Sequence, residues 1–194
     1  MLKLDPTGDW FDDARRVLSP NFDARPPDCG IDLIVVHGIS LPPGEYGGSH
    51  IEQLFCNRLD PCAHDCFSAI ADLKVSAHVL IRRDGALVQF VALSDRAWHA
   101  GESCFGDRVR CNDFSIGIEL EGTDCSPYEA PQYECLGVVC RTLMRRWPAI
   151  GPDRIVGHSD VAPRRKTDPG PSFDWRHLRN LLDVPHPEAR RRYT

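Results

Sequence analysis

The chain has 194 residues, a formal net charge of −5, 42% hydrophobic and 26% charged residues. That length suits one domain that buries roughly 70% of its unfolded surface, and the composition is that of a globular protein. The acidic balance excludes the broad basic face used for nonspecific attachment to nucleic acid or anionic membrane, so neither is an expected partner.

Residues 1–30 carry acids at Asp5, Asp9, Asp12 and Asp13 and close on Pro26-Pro27-Asp28-Cys29-Gly30, which reads as an N-terminal arm packed on the domain. The stretch lacks the apolar core of about 7–15 residues that a secretory leader needs. The expected location is therefore cytoplasmic. The folded domain is expected over 31–182 and a C-terminal tail over 183–194, and the chain is expected to act as a monomer. Nine cysteines stand at 29, 56, 62, 66, 104, 111, 125, 135 and 140. None forms a CxxC pair, and Cys62-x-His64-x-Cys66 lacks the paired spacing of a structural zinc site, so reduced thiols are expected.

Ile31–Val36 is a short apolar, β-branched run, the pattern of a buried strand, with His37 at its end. Ser40–Ser49 holds Pro42-Pro43-Gly44 and Gly47-Gly48 and reads as loop. Cys66–Leu73 is read as a helix with Phe67, Ile70 and Ala71 on one side. His78–Arg82 and Leu87–Val91 flank Asp84-Gly85, a strong hairpin signal. Phe114–Glu121 alternates with period two. Ile116, Ile118 and Leu120 share one face, while Ser115, Gly117, Glu119 and Glu121 share the other, read as opposite the core. From Pro131, the spacing of Tyr133, Leu136, Cys140, Leu143, Met144 and Trp147 predicts an amphipathic helix. Arg154–Gly157 is a brief strand leading to His158, and a last helix spans about Asp174–Leu182. Strands alternating with helices around a hairpin predict an α/β fold, a single domain with a mixed central sheet flanked by helices.

Two histidines after short strands, His37 and His158, and Asp168 in a Pro-rich loop could converge at one sheet edge. Two imidazoles and one carboxylate leave a fourth tetrahedral position open, as a catalytic zinc requires. Spacing alone does not select them among eight histidines. Lys166 lies two residues from Asp168 and, in extended chain, points the same way. Glu119 and Glu121 are equally eligible to reach the same crevice.

The stretches VVHGISLPPGEYGG from Val35, SAHVLIRRDG from Ser76, RAWHAG from Arg96, CNDFSIGIELEGTD from Cys111 and RKTDPGPSFDW from Arg165 carry a resemblance. They resemble the N-acetylmuramoyl-L-alanine amidases, a family that includes T7-type lysozymes and peptidoglycan-recognition proteins. Within it they resemble the AmpD-type branch, cytoplasmic 1,6-anhydro-N-acetylmuramyl-L-alanine amidases of peptidoglycan recycling. The resemblance runs from about residue 10 to residue 180. It implies an amidase fold of the peptidoglycan-recognition type and one catalytic Zn²⁺ held by His37, His158 and Asp168. It implies Glu119, not Glu121, as the catalytic acid–base, and Lys166 as a cation at the developing oxyanion. It implies a soluble muropeptide as substrate, with Arg110, Arg165 and Lys74 toward its peptide carboxylates and Trp98 and His99 along the groove. Such enzymes commonly have Asn where this chain has Gly38, and Arg where it has Lys74. An exported or phage-type amidase acting on intact wall, and a non-catalytic wall-binding module, are the alternatives.

Overall fold

The computed structural model describes residues 2–182. Its elements, in chain order, begin with β1 (Arg15–Arg16), β2 (Phe22–Asp23), β3 (Leu33–Ile39), α1 (His50–Phe55), β4 (Val79–Ile81) and β5 (Leu87–Gln89). They continue with β6 (Arg96–Ala97), β7 (Cys104–Phe105), β8 (Arg108–Val109), β9 (Ser115–Glu121) and α2 (Ala130–Arg146). The last are β10 (Ile155–Gly157), α3 (His158–Val161) and α4 (Trp175–Leu181). The main sheet has six strands in the order β1-β5-β4-β9-β3-β10. β4, β9, β3 and β10 run parallel, and β5 is antiparallel to β4, so the sheet is mixed. Helices cover it, as the sequence predicts for a single α/β domain.

β9 shows how the layers arise. Ile116, Ile118 and Leu120 join Ile34 and Val36 of β3 under Tyr133, Leu136, Val139, Cys140 and Leu143 of α2. A helix of 17 residues gives an apolar stripe several turns long, and this stripe closes one face of the sheet. Its first turn is capped by the Gln132 side chain, which accepts from the Glu129 N–H at 3.0 Å.

The opposite face of β9 is covered too. Every residue from Ser115 to Glu121 is buried. The polar residues there do not face solvent, as their alternation suggested. On this face Leu33 and Val35 of the neighbouring strand pack with Ala100, Cys111 and Phe114, and the His99 ring lies over Gly117. Alternation shows that two faces differ; it does not show that the polar one is wet.

The N-terminal arm packs on the domain through Phe11, fully buried, and through β1, which pairs with β5. The hairpin forms as expected, with Gly85 at φ +84° and a built Cβ there only 2.9 Å from the Pro131 carbonyl oxygen. The helix expected over Cys66–Leu73 is absent. Backbone bonds there mostly close three-residue turns, such as Phe67 N–H to His64 C=O at 2.9 Å and Ile70 N–H to Phe67 C=O at 3.0 Å. Cys66, Ser68 and Asp72 are weak helix formers, and a segment this short cannot offset the cost of nucleation. Phe67 still reaches the core. α1 was not foreseen, because six residues present a single apolar turn, Ile51, Leu54 and Phe55. The tail over 183–194 lies outside the described residues. Among the described residues, no helix is long and apolar enough to cross a membrane.

Candidate active site and metal centre

The sheet register builds half of the site. Leu33, Val35 and His37 alternate onto one face of β3, and their Cα partners on β9 are Ser115, Gly117 and Glu119. His37 and Glu119 are thus neighbours across a parallel ladder. His37 is not at the end of its strand; β3 continues to Ile39. The other half comes from the C-terminal end of β10. Gly157 pairs with Val36, and His158 then opens α3 beside the sheet. The chain returns so that Ser159 N–H donates to the Asp168 carbonyl at 2.9 Å, and Tyr128 Oη donates to the Pro169 carbonyl at 2.9 Å. Those two bonds place Asp168 next to His158, ten positions on in sequence.

Three donor atoms converge. His37 Nδ1 lies 2.9 Å from His158 Nδ1 and 3.2 Å from Asp168 Oδ2, and His158 Nδ1 lies 3.1 Å from the same oxygen. His158 donates through Nε2 to the Ala100 carbonyl at 3.3 Å, so in the neutral ring Nδ1 carries the lone pair. Lone pairs facing one another in a buried place repel. A cation at their centre, a proton or a metal ion, removes that repulsion. Two imidazole nitrogens and one carboxylate oxygen are the three protein donors of a catalytic zinc, so the residues present fit the metal. Among the described residues this is the only group of three or more such side chains brought within ligand reach. Cys62, His64 and Cys66 do not form a second; on the surface His64 Nδ1 meets Cys66 alone, its Sγ at 3.1 Å and its backbone N–H at 3.2 Å.

Burial lowers His37 to about 4, with the neighbouring Asp168 carboxylate opposing, so its imidazole is neutral and free to coordinate. Burial works the other way on Asp168, but its closeness to the His158 and His37 rings holds it below the usual carboxylate range. Glu119 is raised well above its ordinary value, first by burial and then by the charge of Asp168, while Lys166 pulls it back. Its Oε2 is buried without a hydrogen-bond partner. A buried, unpaired carboxyl beside a cation site has the properties of a proton carrier.

The remaining expected residues separate. Arg110 and Arg165 stand, with Arg164, along a groove of about 490 Å³ next to α3. Arg110 is largely exposed and pairs with Asp113 at 3.3 Å. Arg165 donates to the carbonyls of Ala100 and Glu102 at 2.5 and 2.8 Å. Lys74 is exposed on the stretch leading into β4. Trp98 donates through Nε1 to Asp23 at 3.0 Å, at the edge where β6 meets β2. His99 does not line an open groove: it is buried, with Nδ1 2.9 Å from His37 Nε2. At Gly38 the direction of a side chain is filled by the Tyr128 hydroxyl. Ser115 and Gly117, which the alternation of β9 places on the same face as Glu119, and Tyr128 were given no site role in the sequence reading; Tyr128 had no signal.

Residues 25–171 match the family described as N-acetylmuramoyl-L-alanine amidase. The 1,6-anhydro-N-acetylmuramyl-L-alanine amidase AmpD of Enterobacter cloacae is 58% identical over 173 residues, spanning 89% of this chain and 92% of that protein. AmpD of Escherichia coli K12 is 56% identical over 173 residues, spanning 89% and 94%. The crystal structure of a selenomethionine AmpD derivative superposes with a TM-score of 0.89 at 56% identity, over 93% of this chain and 99% of that one. Escherichia coli AmiD, solved with the substrate anhydro-N-acetylmuramic acid-L-Ala-D-γ-Glu-L-Lys, superposes with a TM-score of 0.62 at 26% identity, over 97% and 68%. The family match covers well over half the chain and contains every residue of the cluster, and the chain belongs to the N-acetylmuramoyl-L-alanine amidase family.

Proposed function

We propose that this chain is a zinc-dependent amidase that cleaves the bond between 1,6-anhydro-N-acetylmuramic acid and L-alanine in soluble cytoplasmic muropeptides, a step of peptidoglycan recycling. The observation that carries it is the convergence of His37, His158 and Asp168 beside a buried glutamate that has no hydrogen bond to one oxygen. The AmpD relatives at 56–58% identity supply the substrate class by their names. Nine free cysteines suit a reducing compartment.

His37, His158 and Asp168 would hold the zinc. When bound, such an ion polarises the scissile carbonyl and brings the pKa of a water from about 15.7 toward 7. Glu119 accepts the proton of the attacking water, and its raised pKa lets it keep that proton until the nitrogen of L-alanine departs. Amide nitrogen is a poor leaving group, so this second transfer is required. Lys166, whose charge is felt at both His37 and Glu119, offsets the negative charge that develops on the carbonyl oxygen. Arg110 and Arg165 offer the peptide carboxylates a cationic groove, with Lys74 as a further positive charge and Trp98 as an apolar edge.

Product analysis tests the reading. Soluble anhydromuramyl-tripeptide should release free tripeptide, and intact sacculi should be poor substrates. Equal efficiency on sacculi replaces recycling with a lytic role, and binding without cleavage leaves a recognition module.

A further inference from the structure

His99 has no part in the chemistry above, yet the fold makes a seat for it. Its ring lies over β9 at Gly117, where a built Cβ would fall 2.6 Å from Nδ1 and 2.7 Å from Cδ2. Any side chain at 117 would expel the imidazole. On one side of the ring, Nε2 lies 3.1 Å from Ser115 Oγ; on the other, Nδ1 lies 2.9 Å from His37 Nε2. Ser115, Gly117 and Glu119 occupy alternate positions on the same face of one strand.

The protons in this line can be assigned. Ser115 Oγ sits 2.6 Å from the Cys111 carbonyl, and a carbonyl only accepts, so the single hydroxyl hydrogen of Ser115 is committed there. Ser115 must then accept from His99 Nε2–H. In neutral His99 this leaves Nδ1 bare, and it can only accept from His37 Nε2–H. The proton of neutral His37 is thus on Nε2, and its lone pair is on Nδ1, the atom aimed at His158 and Asp168. The other tautomer of His37 would set two lone pairs face to face at 2.9 Å in a buried place.

We infer that His99, set by Ser115 and seated on Gly117, is a positioning residue that holds His37 in the tautomer able to bind the metal. This rests on the metal reading of the preceding section. Groups that orient a ligating histidine through its other ring nitrogen typically contribute about 10–100-fold to metal affinity.

Two measurements test it. Long-range ¹H–¹⁵N spectra of the metal-free protein with labelled histidines should show His37 protonated on Nε2 and bare on Nδ1, which needs no variant. Competition with a chelator should show zinc bound about 10–100-fold more weakly by His99→Leu and by Ser115→Ala. His99→Asn can place its amide oxygen where Nδ1 lies and should recover most of the loss. A role in packing alone predicts no such recovery. A proton on Nδ1 of His37, or unchanged zinc affinity in His99→Leu, overturns the inference while leaving the metal site in place. A wild-type protein that binds no zinc sinks the metal reading, and this one with it.

Discussion

Glu119 and Glu121 lie two residues apart on the same buried face of the same strand, and their surroundings are opposite. Glu121 is saturated. Its Oε1 accepts from Gly47 N–H at 2.7 Å and from Arg82 at 2.8 Å, and its Oε2 from Arg83 N–H at 3.3 Å. Glu119 has an oxygen with no partner and sits against Asp168, a second negative charge. The fold satisfies the carboxylate it uses as a brace and leaves unsatisfied the one proposed to move a proton. A buried carboxyl without partners lowers stability and persists only where it is used.

Removing the metal ligands should break the contrast most completely. His37→Ala, His158→Ala and Asp168→Ala should each take zinc content from one per chain to near zero, measured by atomic absorption, and turnover should vanish with it. One zinc per chain with normal turnover in any of them refutes the ligand set. Next in size, Glu119→Gln should keep its zinc and lose about 10²–10⁴-fold in kcat. The sign of its stability effect sharpens the comparison. The folded pKa of Glu119 is raised, so its stabilising neutral form is fully present below the ordinary value and lost as pH rises through the raised one. Thermal melts should therefore show Glu119→Gln gaining stability over wild type at neutral pH and little near pH 4.

Glu121→Gln should do the reverse. Turnover per folded molecule stays close to wild type, while the hydrogen bonds to Arg82 and Gly47 weaken and stability drops by about 1–3 kcal/mol in denaturant titration. Equal loss of kcat in both glutamine variants would mean that hydrogen-bond saturation does not separate their roles. The smallest expected effect is at Lys166. Its charge holds Glu119 down, so Lys166→Met should move the acid limb of the kcat/KM profile to higher pH. An unmoved limb would detach Lys166 from Glu119.

What the sequence showed depended on length and on period. α2 and the hairpin were legible because one offers several helical turns and the other a turn dipeptide with strands on both sides. α1 and the 66–73 segment were not, since about eight residues cannot distinguish one helical turn from a chain of bends. For the site, spacing placed His37 and His158 after strands but could not bring Asp168 to them. That depends on Ser159 and Tyr128 holding the return loop, contacts with no sequence pattern. The tie between the glutamates was broken by resemblance. The structure adds that the two differ in their hydrogen bonding, Glu121 being fully partnered and Glu119 not. His99 was expected along the groove from the resemblance alone, since WH by itself could equally be a packed hairpin edge. Only Gly117, by leaving out a side chain, makes room for it underneath.

His37 and Glu119 are Cα partners on adjacent parallel strands. Their separation is therefore set by the hydrogen-bond ladder of the sheet, about 4.8 Å between neighbouring chains. On the proposed reading, the interval between the metal ligand His37 and the proton carrier Glu119 is ruled by a backbone repeat that no side-chain substitution resets. Loops around the groove can be exchanged, lengthened or recharged to suit another wall peptide while that interval stays as it is.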